Sequence, residues 1–113
     1  MPSSGPGFVV LYRWVLHPGN EDQFIEAWSR VTSLLREERG SLGSRLHRGP
    51  DGIWYGYAQW PSAEARESAF HSPVDPAARQ RMREAIKQDL PELVLESVSD
   101  YLILKMRSET SAS

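Results

Sequence analysis

The run Ile53-Trp54-Tyr55-Gly56-Tyr57-Ala58-Gln59-Trp60, closed by Pro61-Ser62, decides the fold of this chain. It is rich in aromatic residues and about one strand long. Alternation puts Trp54, Gly56, Ala58 and Trp60 on one face and Tyr55 and Tyr57 on the other. Just before it, Gly49-Pro50-Asp51-Gly52 has the chemistry of a turn. Residues 42–48 (Leu-Gly-Ser-Arg-Leu-His-Arg) then read as a more polar strand suited to a sheet edge, paired with the aromatic run as an antiparallel hairpin. Just after it, Ser62 is placed to cap a helix whose inner side carries Ala65, Ala69 and Phe70.

Toward the N-terminus, Phe8 through Leu16 is β-branched and aromatic, and apolar on both faces except at Arg13. Such a strand belongs at the centre of a sheet. His17-Pro18-Gly19 stops it. Asn20 with Gln23 has the spacing of a capping box, and Glu21 and Asp22 fall where the helix dipole favours acids. Phe24, Trp28, Val31 and Leu35 follow at helical spacing, and Gly40 closes the helix.

Toward the C-terminus, His71-Ser72-Pro73 interrupts the second helix. Asp75 caps another, with Pro76 at its first position. Ala78, Met82, Ala85 and Ile86 form its apolar stripe, and Pro91 marks the end of the helical region. Leu93-Val94-Leu95, Val98 and Tyr101 to Leu104 give a last strand. The order is β-α-β-β-α(α)-β, which predicts an α+β ferredoxin-like antiparallel sheet in the order 4-1-3-2. Both helical layers fall on one face. The other face carries large side chains such as Tyr55 and Tyr57, so a homodimer packed sheet to sheet is expected.

A chain of 113 residues suits one domain, expected over 7–105, with disordered tails expected at 1–6 and 106–113. Thirteen basic and fifteen acidic residues, spread along the chain, leave a net charge of −2. That balance offers no field for a polyanion, and no nucleic-acid partner is expected. With no cysteine, disulfides, thiolate metal sites and cysteine nucleophiles are excluded. The three histidines, His17, His47 and His71, have no metal-ligand spacing, and neither metal nor cofactor is expected. The opening residues MPSSGPG lack the marks of a signal peptide, and no apolar stretch approaches the ~20 residues of a membrane span. A cytoplasmic location, with no membrane partner, is the expectation.

The stretch Gly56-Tyr-Ala-Gln-Trp60, then Pro-Ser-Ala-Glu-Ala-Arg-Glu-Ser-Ala-Phe70, resembles the central signature of the antibiotic-biosynthesis monooxygenase superfamily. Pro18-Gly19 leading into a helix and Gly40-Ser-Leu-Gly before the second strand are similar to that family too. The resemblance runs over roughly residues 7–105. It implies a dimeric α+β barrel, and in some members oxidation of aromatic anthrones or quinols by O₂ without metal or flavin. An electron-rich phenolate can itself reduce O₂. The protein then supplies an apolar cavity, a hydrogen-bonding or deprotonating group, and exclusion of water. In the anthrone-oxidising members a Trp at the end of the third strand lines the cavity, and here it is Trp60. The Asn four residues before it is replaced by Gly56, and the Tyr six residues after it by Arg66. The set used by haem-degrading members is replaced at Tyr12, at Ala69 or Phe70, and at Arg79.

Phe8, Val10, Tyr12, Trp14 and Leu16 share one face of the first strand. In the third, the order Trp-small-small-Trp leaves a hollow over Gly56 and Ala58 between Trp54 and Trp60. Tyr12, Trp28, Trp60 and Phe70 either line a pocket for a flat aromatic ligand or fill the core. Tyr12 and Trp60 are the candidate catalytic residues, with Tyr12 as hydroxyl donor or acid–base partner. Trp28, Trp54, Gly56, Arg66, Phe70 and His71 are the candidate substrate contacts. Arg66 either holds a phenolate or carboxylate by charge-assisted hydrogen bonds or is a wetted surface residue. His71 is placed as a base near the cavity mouth. The reading is an oxygenase for a hydroxylated aromatic, or else a ligand-binding or structural dimer of the same fold without chemistry.

Overall fold

A computed structural model of the chain describes residues 8–102. Its elements are β1 (Phe8–Leu16), α1 (Glu21–Glu38), β2 (Gly43–Arg48), β3 (Trp54–Trp60), α2 (Ala63–Ala69), α3 (Pro76–Ala85) and β4 (Ile86–Leu95). The four strands form one antiparallel sheet in the order β2-β3-β1-β4, as the sequence pattern predicts. The expected tails at 1–6 and 106–113 lie outside the described residues, as do Ile103 and Leu104.

β1 is central because it is apolar on both faces, and Val9 and Val10 are both buried within it. Its register with β3 pairs Phe8 with Trp60, Val10 with Ala58, Tyr12 with Gly56 and Trp14 with Trp54. Cross-strand partners share a face, so all eight point toward the helices. Burial along β3 alternates accordingly, with Trp54, Gly56, Ala58 and Trp60 inside and Tyr55, Tyr57 and Gln59 half-buried on the opposite face.

Local capping chemistry sets the helix starts. Ser62 Oγ accepts from Ala65 N–H at 3.0 Å, and Asp75 Oδ1 from Ala78 N–H at 3.1 Å. The capping box expected at Asn20 does not form. The Asn20 side chain makes no cap bond, and its Nδ2 donates instead to Gln23 Oε1 at 3.3 Å. At the far end of α1, Gly40 takes φ +83°, and Ser41 N–H folds back on the Leu35 carbonyl at 3.2 Å.

The last strand differs from expectation. It starts at Ile86 without a loop after α3 and runs through Pro91, whereas residues 96–102 lie outside any strand. Ile86 therefore opens β4 instead of completing the α3 stripe. Pro91 is accommodated by an irregularity: β1 pairs Leu11 with Leu93 and then Arg13 with Leu90, so two residues of β4, Pro91 and Glu92, oppose Tyr12 alone. Proline lacks the N–H that a regular ladder needs, and an edge-strand bulge is where a sheet tolerates it. The Pro91 carbonyl is taken up by Arg13, whose Nε and Nη2 donate at 3.1 and 2.8 Å.

The core begins where Trp14, Leu16, Phe24, Trp54 and Ala85 meet. Trp14 and Phe24 pack edge to face with centroids 5.0 Å apart, and Phe24 meets Trp54 the same way at 6.2 Å. The hollow expected over Gly56 is filled: a Cβ built there would lie 2.8 Å from Trp14 Cη2. Gly56→Ala is therefore expected to destabilise the fold by about 1–3 kcal/mol, the usual cost of overpacking, without affecting the adjacent strand pairing. Urea midpoints of the two proteins check this, and an unchanged midpoint would mean that Trp14 moves aside freely.

Candidate functional site

Between the sheet and the helices, running from Trp60 to Trp14, lies a cavity of about 260 Å³. Its walls include Tyr12, Trp14, Ala58 and Trp60 from the sheet, Trp28, Val31 and Leu35 from α1, Phe70 after α2, and Arg79, Met82 and Arg83 from α3, with Ile86 and Asp89 from β4. It exists because Ala58, the small member of its cross-strand pair with Val10, leaves space beneath α1 and α3. Trp60 is 1% exposed and packs with Val10, Ala58 and Ala69, while also bordering the cavity. Phe70 meets it edge to face, with centroids 5.6 Å apart.

Tyr12 brings the polar chemistry. Its ring stacks on Trp14 at 5.9 Å and 10° between planes. Its hydroxyl oxygen accepts a 3.1 Å bond from Arg66 Nε, and Arg66 Nη2 donates to Glu92 Oε1 at 2.7 Å. Arg66 thus turns inward from α2, its guanidinium carbon 5.5 Å from the ring centroids of both Tyr12 and Phe70. Because Arg66 occupies the phenol oxygen as a donor, the Tyr12 proton is free to meet an acceptor elsewhere.

Burial pushes the Tyr12 phenol above its ordinary value of 10.0. The Arg66 charge and hydrogen bond pull it back, the Glu92 charge raises it, and the Trp60 indole N–H lowers it. That indole N–H is buried and lies short of hydrogen-bond geometry with any partner among the described residues. Burial opposes the Arg66 charge, but Tyr12 and Glu92 more than offset this and hold its pKa above the ordinary arginine range. At neutral pH the pair is therefore a neutral phenol beside a guanidinium.

Of the residues singled out from sequence, Tyr12, Trp28, Trp60 and Phe70 meet at the cavity, and Arg66 touches it through Tyr12. Trp54 sits in the closed aromatic core, with Arg48 4.7 Å above its ring. Gly56 lies beneath Trp14. His71 is exposed on the outer rim beside Phe8 and Glu67, away from the cavity wall. Sequence reasoning missed Glu92, Asp89, Arg79 and Arg83. Arg79 and Arg83 carry a signal, four residues apart on the helix that bears the Met82 stripe. Asp89 and Glu92 carry none, since three residues apart in a regular strand they would face opposite sides. The bulge at Pro91 brings both to the helix side. Among the described residues, no group of three or more His, Asp or Glu side chains is arranged to hold a metal ion, and no helix is long and apolar enough to cross a membrane.

A small ferredoxin-like domain with an aromatic cavity between sheet and helices is the class these features define. The family model for antibiotic biosynthesis monooxygenase matches residues 7–81, from β1 into α3, and the chain belongs to that family. Solved structures share the fold at low identity. A Bordetella bronchiseptica protein, provisionally described as an antibiotic biosynthesis monooxygenase, superposes with a TM-score of 0.73 at 16% identity, covering 84% of this chain and 100% of its own. SnoaB, a cofactor-independent oxygenase from Streptomyces nogalater, gives 0.72 at 14% identity over 86% and 98%. Rv0793 from Mycobacterium tuberculosis gives 0.69 at 18% identity over 84% and 98%. Comparison with curated protein sequences yields no significant match.

A raised Tyr12 pKa has a defined consequence for stability. The protonated phenol is favoured in the folded state, so its contribution is intact below pH ~10 and is lost as pH rises through the higher folded value. The wild type is expected to lose more stability between pH 9 and 11 than Tyr12→Phe does. Denaturant midpoints across that range measure it, and parallel losses would mean that the phenol ionises as freely as in the unfolded chain.

Proposed function

We propose that this chain is a cofactor-independent monooxygenase that oxidises a hydroxylated aromatic compound, of anthrone or quinol type, with O₂. The observation that carries the reading is a family member's aromatic-walled cavity with Tyr12 on its wall, its neutral hydroxyl bonded to Arg66, which Glu92 anchors. For an anthrone the balance closes without an external reductant. One oxygen atom enters the product as the new carbonyl, the other leaves as water, and the substrate methylene supplies all four electrons. The protein has to lower the cost of the substrate oxyanion and keep water out.

Tyr12 suits the first task as a hydrogen-bond donor to the developing oxyanion. Arg66, anchored by Glu92, orients the phenol and biases it electrostatically from behind. Asp89, a carboxylate on the cavity wall, serves in this reading as acceptor of the substrate proton. Trp14, Trp28, Trp60 and Phe70 provide flat surfaces for the ring system. The second reading, a ligand-binding or structural dimer without chemistry, draws on Gly56. It stands where anthrone-oxidising relatives carry an Asn, and its space is occupied by Trp14.

Oxygen uptake separates the two. With an anthrone or quinol the wild type is expected to consume O₂ above the uncatalysed rate. Tyr12→Phe should lower kcat by roughly 10²-fold with little change in KM, the signature of a lost transition-state hydrogen bond. No uptake with either substrate class, despite ligand binding, would leave the non-catalytic reading.

The same reading includes a homodimer through the helix-free face of the sheet. Leu11, Arg13, Tyr55 and Tyr57 lie half-buried there, and Leu93 and Leu95 are 43% and 40% exposed beside them. Light scattering at micromolar concentration is expected to give twice the chain mass. Tyr57→Lys should shift it toward the monomer by placing an unpaired charge in the interface. A wild-type monomer would remove the interface from the proposal.

A further inference from the structure

The chemistry above leaves two arginines unused. Arg79 and Arg83 lie four residues apart on α3. Both border the aromatic cavity and also an adjoining hollow of about 280 Å³ beneath the α2–α3 connection, which Leu35 and Phe70 share with it. The ion pairs among the described residues engage Arg30, Arg66 and Arg81, not these two. Arg79 holds its guanidinium carbon 5.8 Å from the Phe70 ring centroid, and Arg83 Nη2 makes a long 3.4 Å bond to Gln80 Oε1. Like charges at this spacing weaken a helix. Arg83, in the last turn, is at least favoured by the helix dipole, but Arg79, near the middle of α3, has no such benefit. Asp89 is the one carboxylate on the same cavity wall, and neither arginine bonds to it among the described residues. Two guanidinium groups against one carboxylate leave the rim cationic beside an apolar interior.

We propose that Arg79 and Arg83 bind a carboxylate carried by the aromatic ligand, so that the ligand is a hydroxylated aromatic acid with its hydroxyl at Tyr12 and its acid group at α3. The inference rests on the functional reading above and narrows its substrate class. Phe70 marks the geometry. Its ring has the guanidinium carbon of Arg66, which bonds Tyr12, at 5.5 Å and that of Arg79 from α3 at 5.8 Å, so cationic groups from two helices meet the same aromatic wall. The planar fork of arginine matches a carboxylate with two parallel hydrogen bonds, and flanking aromatic rings keep competing water away.

The test uses two probes that differ only in the acid group, 6-hydroxy-2-naphthoate and 2-naphthol, with binding followed by quenching of tryptophan fluorescence. The wild type is expected to bind the naphthoate about tenfold or more tightly than the naphthol. Arg79→Gln and the double variant Arg79→Gln/Arg83→Gln should bring the naphthoate to the naphthol level. Naphthol affinity should stay unchanged in both, which also shows that the variants are folded. Arg79→Lys should retain part of the preference. Equal affinities in the wild type, or a preference that survives in the double variant, would overturn this proposal while leaving the cavity reading standing. Failure of both probes to bind would overturn the two together.

Discussion

The contact between Trp14 and Gly56 organises the rest of the site. Strand pairing places Tyr12 opposite Gly56, and because Gly56 has no side chain, the Trp14 ring from the next inward position lies across it. That single occupancy turns Trp14 parallel to Tyr12 and edge-on to Phe24, which in turn meets Trp54. One end of the helix-facing surface becomes a closed aromatic core. At the other end the small partner is Ala58, which packs with Val10 and Trp60 and borders the cavity. The space stays open beneath α1 and α3, with Tyr12 at the boundary between filled and empty. An unfilled space in a domain of this size forfeits contacts that its walls would otherwise make. It persists because its walls are large and fixed: Trp60 is 1% exposed and Phe70 packs edge-on against it.

Much of this was legible in the sequence, for reasons that lie in particular residues. Strand parity put Tyr12, Trp60 and the two small residues of β3 on one face, and helical spacing brought Trp28 above them. Ser62 and Asp75 announced two helix starts because a short oxygen-bearing side chain before the first turn has one favoured use. Asn20 and Gln23 had the same spacing signal, but there the two side chains bond each other and the Asn20 side chain makes no cap bond. Parity could say that Gly56 faced inward but not which side chain would take its place. That depends on the Trp14 rotamer, which is a packing outcome. Arg66 was ambiguous by sequence because its neighbours Glu64 and Glu67 mark a wetted helix. Only the position of Glu92 across the sheet decides which way it turns.

Glu92 was beyond reach because it depends on an irregularity. Pro91 read as a stop, whereas the sheet absorbs it as a bulge at its edge strand, with the Arg13 guanidinium satisfying the proline carbonyl. The extra residue reverses the parity of β4 beyond that point. Glu92 thereby joins Asp89 on the helix side, and Leu93 and Leu95 turn toward the outer face. The same local distortion thus supplies the carboxylate that anchors Arg66 and the leucines that enlarge the apolar patch opposite the helices. Glu92 would face away from Arg66 in a regular strand. The guanidinium would then be held at only one end, and its hold on the Tyr12 oxygen would weaken accordingly.

The protonation state of Tyr12 sets what the cavity can do. A phenolate there would be a base, but burial favours the neutral form, and the Arg66 charge does not outweigh it. Glu92 is part of the reason, since it neutralises Arg66 and adds its own repulsion to a second negative charge nearby. The network therefore keeps a proton on Tyr12 and at the same time strengthens that proton as a donor, because the oxygen already accepts from a cation. In the proposed reaction, a substrate oxyanion forming in the cavity would meet this preset donor at little reorganisation cost. On that proposal, the electron-rich ring would react with O₂ while held against Tyr12. Under the proposed function all the electrons come from the substrate, and the selectivity would lie in the hydrogen bond that makes the substrate reducing.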